Sequence, residues 1–302
     1  MQNLEAFKKV YFQIADHIVE LSMPKCVEVN RLLPSFVDFL VKSPKYAPVI
    51  KIILCLDKET AINTNTRLLS DISVVWGDKF RFEESEEEYI TSIKGKTRSE
   101  QWKMYSSKDF ITSTIYAVKS EIYSSETVSW LIMIAYAQGI LNYDTILIHA
   151  SVVEKDGLGY AFLGKSGTGK STHSRMWMDN IQKTSLLNDD NPIIRINNDN
   201  ILIFGSPWSG KTSCYINKGV ELKALVRLEQ ASENSWKYLS GKNAFVALMP
   251  SCSAIRWSGE LFNKMLDSVE KIIKNTIIGN LSCLPNKESA ILCNRSSNEK
   301  IT

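Results

Sequence analysis

Gly164-Lys165-Ser166-Gly167-Thr168-Gly169-Lys170-Ser171-Thr172 decides how this chain is read. Its first eight residues fit G-x-x-x-x-G-K-[ST], the pattern of a phosphate-binding loop. Glycines let successive backbone N–H groups turn inward around an anion, and the Lys170 ammonium adds a point charge for terminal phosphates. The Ser171 hydroxyl is of the type that ligates Mg²⁺. The flanks agree with the motif. Tyr160-Ala161-Phe162-Leu163 is an apolar run suited to a buried strand, and residues 172–178 begin a helical stretch. Strand, glycine loop and helix N-terminus in that order suit anion binding better than an ordinary glycine turn. Gly164, Lys165, Ser166, Gly167, Thr168, Gly169, Lys170, Ser171 and Thr172 are therefore the candidate nucleotide-binding residues, with ATP and Mg²⁺ as the expected cofactors.

Composition excludes several alternatives. The 302 residues are 44% hydrophobic and 23% charged, ordinary for a globular protein, and the net charge is only +3. No dense basic patch interleaves with aromatics, so no nucleic-acid partner is expected. Six cysteines at 26, 55, 214, 252, 283 and 293 form no C-x-x-C pair and meet no histidine pair at ligand spacing, which argues against zinc. Such scattered cysteines read as reduced thiols. The longest apolar stretch, 130–141, is interrupted by Gln138 and Gly139 and falls short of the roughly 20 residues a spanning helix needs. The N-terminus shows no signal-peptide pattern. The expectation is a soluble cytoplasmic protein without membrane partners.

Upstream, strand-like runs recur at 11–20, 49–56, 72–75, 80–82, 89–93, 102–105 and 111–118. The acidic run at 83–88 reads as a solvated loop between them. Ser125 is placed to cap a helix over 126–141, which sets the expected domain boundary at 124/125. Residues 145–153 read as one buried strand, and Asp156-Gly157 marks a hairpin returning to the loop. Further strands are expected at 185–190, 192–196, 200–204, 222–228 and 281–284, with helices at 259–274 and 286–293.

A phosphate loop alone implies only nucleotide binding. Phosphoryl transfer also needs a metal ligand and a base for the attacking hydroxyl. Asp189 and Asp190 end a predicted strand about 20 residues after the loop, where one carboxylate can serve metal or water and the other the acceptor proton. A turn pair of solvated aspartates is the plainer alternative, since Asn191-Pro192 follows. His149 lies within the expected 145–153 strand, where a hydrogen-bonded core histidine is the commoner case. The segment 205–211 carries Trp208, Gly210 and Lys211, and by itself reads as a surface turn. Lys211 and Arg195 are candidates for extra positive charge.

Together these residues resemble the bacterial HPr kinase/phosphorylase family. His149 lies fifteen residues before Gly164, the loop reads G-K-S-G-T-G-K-S, and Asn188-Asp189-Asp190 follows. ATP-dependent phosphoenolpyruvate carboxykinases share that loop and catalytic fold. The resemblance spans roughly 145–230. It implies that Asp190 is the acid/base on the acceptor hydroxyl with Asp189 beside it, that Ser171 is a Mg²⁺ ligand, and that His149 lies near the transferred phosphate. The chain departs from the family where Thr172 replaces its usual glutamate and where its glycine-rich signature gives way to residues 205–211. The upstream region looks more like HPr-kinase-related proteins of peptide-modification clusters, whose acceptor is a peptide or another protein.

The expected fold class is α/β (α+β overall), a carboxykinase-type P-loop domain with a mixed sheet over 125–302, preceded by a smaller β-rich domain over 1–124 for substrate or partner recognition. The expected catalytic set is Asp190, Asp189, His149 and Lys170, with Ser171 and Asp189 on the metal. The expected activity is ATP-dependent phosphoryl transfer to a serine or other hydroxyl of a protein or peptide. A non-catalytic ATP sensor and a small-molecule kinase are the alternatives. Resemblance to hexameric enzymes makes a homo-oligomer plausible.

Overall fold

Period-two alternation builds the first sheet. In Ile50-Lys51-Ile52-Ile53-Leu54-Cys55 the first, third and fifth side chains are buried while Lys51 and Ile53 are exposed, and Gln101–Ser107 repeats this with Trp102, Met104 and Ser106 inside. The computed structural model describes residues 7–56, 65–70, 80–96, 100–198, 200–210 and 212–299. It divides into two compact units, Met1–Asn142 with Ala254–Phe262, and Tyr143–Ser253 with Asn263–Thr302. Each carries a mixed sheet, so the chain is of mixed α/β class.

In the first unit, strands β1 (Phe7–Ile14), β2 (His17–Pro24), β3 (Leu40–Val41), β4 (Ile50–Cys55), β5 (Arg67–Ser70), β6 (Arg81–Glu84), β7 (Glu88–Lys94), β8 (Gln101–Ser107) and β9 (Thr112–Tyr116) take the order β3-β1-β2-β4-β9-β8-β7-β6-β5. Only β2–β4 and β4–β9 are parallel. The single strand expected at 11–20 is a hairpin instead. Ala15 and Asp16 both have positive φ (48° and 61°), the tight-turn geometry that matches strand twist. The acidic run is likewise not a loop throughout. Glu83 and Glu84 end β6 and Glu88 opens β7, because Arg81 pairs with Glu83 while Arg67 and Lys108 pair with Glu84. The strand expected at 72–75 lies outside the described residues.

After the four-residue α1 (Val29–Leu32), the helix α2 (Thr127–Gly139) packs on β4, β8 and β9 with eleven of thirteen residues buried. The Tyr136 hydroxyl donates to the Ile14 carbonyl at 2.9 Å. Gln138 Oε1 accepts from the Ile255 amide at 3.0 Å, and the Trp257 ring meets Phe82 and Tyr89, which ties 254–262 to this unit. The division therefore falls after α2, one helix later than 124/125, because the apolar surface of α2 is covered by the first sheet.

The second unit contains β10 (Thr145–Leu147), β11 (Ala150–Lys155), β12 (Leu158–Leu163), α3 (Lys170–Asn180), β13 (Thr184–Asp190), β14 (Ile193–Asn197), β15 (Asn200–Phe204), β16 (Gly219–Gln230), β17 (Ser235–Tyr238), α4 (Gly241–Leu248), β18 (Ile277–Cys283) and α6 (Lys287–Ser296). The helix α5 (Gly259–Asn275) crosses the division. The strand order is β10-β14-β15-β16-β12-β11-β13, with β18 along the second half of β16 and β17 outside it. β12, β16 and β18 are parallel; their neighbours are antiparallel. On one face Tyr160, Phe162, Val226, Leu228 and Leu281 form a core with Trp177 of α3 and Cys293 of α6.

Connection lengths show that this sheet rolls. β10 joins β11 through Ile148-His149, and β13 joins β14 through Asn191-Pro192, yet each pair stands five places apart in the strand order. In a flat sheet that is about 24 Å at ~4.8 Å per strand, whereas three Cα steps reach at most about 11 Å. The two ends of the sheet must therefore curl toward each other. This also corrects the expected 145–153 strand. It breaks at Ile148-His149, where the chain leaves the β14 partnership for that of β12 and β13.

Candidate functional site

The phosphate loop follows β12 and runs into α3 with Gly169 as its N-cap, so no side chain caps the first-turn amides. Gly167 and Gly169 adopt φ of 82° and 104°, and an added Cβ at either would meet nothing within 4 Å. Glycine is needed here for backbone freedom and not for space. Thr168 braces the loop from inside, its hydroxyl donating to the Lys165 carbonyl at 2.6 Å. Lys165, Ser166 and Thr172 are exposed on it. The Ser151 and Ser174 hydroxyls meet at 2.6 Å and lock α3 onto β11.

Five of the expected side chains converge at the loop. Buried Lys170 reaches back, its ammonium donating to the Gly164 carbonyl at 2.9 Å and lying 2.9 Å from His149 Nε2. Burial lowers its pKa, opposed by the charges of Asp190 and Asp189. His149 Nδ1 lies 3.0 Å from Asp190 Oδ1. With Lys170 donating to Nε2, the imidazole proton sits on Nδ1 and is given to Asp190. Ser171 Oγ donates to Asp189 Oδ1 at 2.8 Å. Lysine, histidine and aspartate form one line, and serine with aspartate a second beside it.

The convergence follows from the roll of the sheet. His149 sits in one crossing, its amide bonded to the Ser251 carbonyl at 2.7 Å, and Asp190 opens the other. β13 pairs with β11, which separates it from the phosphate-loop strand β12. Asp190 has φ 152°, a region that costs a non-glycine residue on the order of 1–3 kcal/mol and persists only where its surroundings impose it.

Those surroundings are Asn188, Asn191 and residues 205–210, whose contacts with one another the sequence did not reveal. The buried Asn188 amide donates to Ser206 Oγ at 3.3 Å and to the Trp208 carbonyl at 3.3 Å, while its Oδ1 accepts the Asn191 amide at 2.9 Å. Ser206 Oγ donates to the Asn191 carbonyl at 2.6 Å. The Gly210 amide donates to the Asp189 carbonyl at 2.6 Å, and a Cβ there would lie 3.0 Å from that oxygen. Residues 205–210 are thus a brace laid along the outer edge of β13. Trp208 is only 5% exposed and offers no indole to a ligand. Lys211 lies outside the described residues. Arg195 is in mid-β14, opposite Thr145 and Leu202.

Ser171 and Asp189 present a hydroxyl and a carboxylate oxygen side by side. That donor set fits Mg²⁺, which takes one or two protein oxygens and completes its shell with water and phosphate. Among the described residues no group of three or more His, Cys, Asp or Glu could hold a metal. No helix of the described residues is long and apolar enough to cross a membrane.

A family model described as "SynChlorMet cassette protein ScmC" matches residues 117–287, more than half of the chain. No curated protein matches. Among solved structures, the Hpr(Ser) kinase/phosphatase from Coxiella burnetii is similar at 12% identity and a TM-score of 0.30, over 49% of this chain and 86% of that one.

Proposed function

This chain belongs to the SynChlorMet cassette protein ScmC family, and from that premise we propose that it is an ATP-dependent phosphotransferase acting on a hydroxyl of a protein or peptide. The observation that carries the reading is the convergence of Lys170, His149 and Asp190 in one hydrogen-bonded line beside the Ser171–Asp189 pair. A module that only bound nucleotide would have no use for a strained carboxylate aimed at the phosphate end of the loop.

The loop amides from Gly164 to Ser171 hold the phosphates, and Lys170 turns from the Gly164 carbonyl to the terminal one. Ser171 and Asp189 hold Mg²⁺, which when bound supplies neutralisation of phosphate charge. Asp190 accepts the acceptor hydroxyl proton as that oxygen attacks the γ-phosphorus and the γ-phosphorus–oxygen bond to ADP breaks, while His149, anchored through Nδ1, keeps Asp190 oriented and presents Nε2 toward the transferred group. The family description as a cassette protein supports seeking the acceptor among products of neighbouring genes.

The test is Asp190→Asn with labelled ATP and the candidate acceptors. Transfer should fall by about 10²–10⁴-fold, as expected on loss of a general base, while ATP affinity by calorimetry stays within about twofold. Undiminished transfer sinks the assignment of the base. ATP binding by the unaltered protein with no transfer to any acceptor leaves a sensor.

A further inference from the structure

Behind the phosphate loop, on the side of α3 away from Asp189 and Asp190, lies a cavity of about 470 Å³. Its walls include Thr172 and Met176 of α3, Leu228 and Gln230 at the end of β16, Cys283 at the end of β18 and Pro285 beyond it. β12, β16 and β18 are parallel, and the cavity opens at their carboxyl ends, where α/β sheets take ligands. Its volume lies in the range of small-molecule sites, roughly 300–1,000 Å³. The lining is mainly apolar, with the polar side chains of Thr168, Thr172, His173 and Gln230 set into it. Gln230 Nε2 already reaches the Gly167 carbonyl at 3.5 Å, so this wall touches the loop itself.

His173 adds a second, independent observation in the same wall. It is 1% exposed, its Nε2 accepts from Trp177 Nε1 at 3.1 Å, and its Nδ1 has no partner. With Nε2 an acceptor, the neutral ring carries its proton on Nδ1, so a buried donor is left unmet beside the cavity. The phosphate loop thus stands between two different sides. Ser171, Asp189, Asp190 and His149 bring charge and hydrogen-bonding groups to one. Apolar side chains with an unmet donor line the other.

We infer that this cavity is the subsite for the base and sugar of the nucleoside triphosphate, held between the Leu228–Gln230 strand end and Cys283–Pro285. The inference rests on the phosphate-loop reading and deepens it. It gives Thr172 a place beside the nucleoside, on the opposite side of the loop from the metal ligand Ser171. It also separates the nucleoside from the acceptor by the width of the loop, leaving the face at Asp190 free for a bulky hydroxyl donor.

Cys283 makes the subsite testable in the unaltered protein. With Mg²⁺ present, each ligand is supplied at ten times its calorimetric Kd, and maleimide labelling of Cys283 is followed by mass spectrometry. ATP should slow labelling about elevenfold, the factor set by occupancy at that concentration. Tripolyphosphate, which has phosphates and no nucleoside, should leave the rate within about twofold. Exposed Cys26 serves as the internal control. Binding of both ligands with Cys283 unprotected, or protected equally by both, overturns the subsite and leaves the phosphate loop standing. Binding of neither overturns the phosphate loop and the subsite together. Cys283→Trp gives a second readout. It should weaken ATP about tenfold or more, about 1.4 kcal/mol, and leave tripolyphosphate unchanged; unchanged ATP affinity refutes the subsite.

Discussion

Replacing His173 by glutamine should remove a pH-dependent component of stability whose size follows from burial. The imidazole is 1% exposed between Trp177, which donates to it, and the edge of Phe162 at 4.7 Å between centroids. Burial pushes its pKa down from 6.5 to about 4. Above pH 6.5 the ring is neutral in folded and unfolded chains alike, and its contribution is fully present. As pH falls, the unfolded chain takes up a proton that the folded chain refuses until about pH 4, so stability is lost between those values. The loss amounts to roughly 3 kcal/mol over the window. Glutamine can still accept from Trp177 but does not titrate. Urea unfolding of both proteins at intervals from pH 7 to pH 4 checks this, because their difference cancels the carboxylates common to both. The wild-type advantage at pH 7 should shrink by about 3 kcal/mol toward pH 4. A difference that stays constant across the window refutes the reasoning.

Gly169→Ala meets no atom within 4 Å but forces a side chain onto φ 104°. It should cost roughly 1–2 kcal/mol, read as a lower Tm together with weaker ATP binding. Full wild-type affinity would mean that the loop does not need this conformation. Asn188→Ala removes a buried amide that holds Ser206, Trp208 and Asn191. It should destabilise by roughly 2–3 kcal/mol and slow transfer more than it weakens ATP, measured by steady-state kinetics beside calorimetry.

Local patterns carried most of what the sequence made legible. The loop, its strand and its helix are contiguous, and Asp156-Gly157 gave the β11–β12 turn correctly, both residues having positive φ. Short strand-like runs placed β4, β8 and β9 within a residue or two. What escaped depends on pairing between distant segments. Residues 145–153 are mostly apolar and carry no glycine or proline, so no turn signal marks the break at His149; the different partners of β10 and β11 create it. Asn188 and Ser206 are ordinary polar letters until the roll buries them against each other. α4 and β17 were missed as well. The cavity behind the loop brings together residues more than a hundred positions apart, from Gly167 to Pro285.

The roll of the second sheet also orders how the site can come into being. The phosphate cradle is local, nine residues running from the end of a strand into the first turn of the helix that follows it. The acceptor side is assembled from His149, Asp190, the brace at 205–210 and the carbonyl of Ser251, joined only when the ends of the sheet meet. Contacts of such sequence separation are the slow ones to form. An incomplete or partly unfolded chain can therefore retain a place for phosphate while lacking the carboxylate geometry that would spend it. Closure of the sheet is what couples the two halves, so the capacity for transfer is a property of the finished fold.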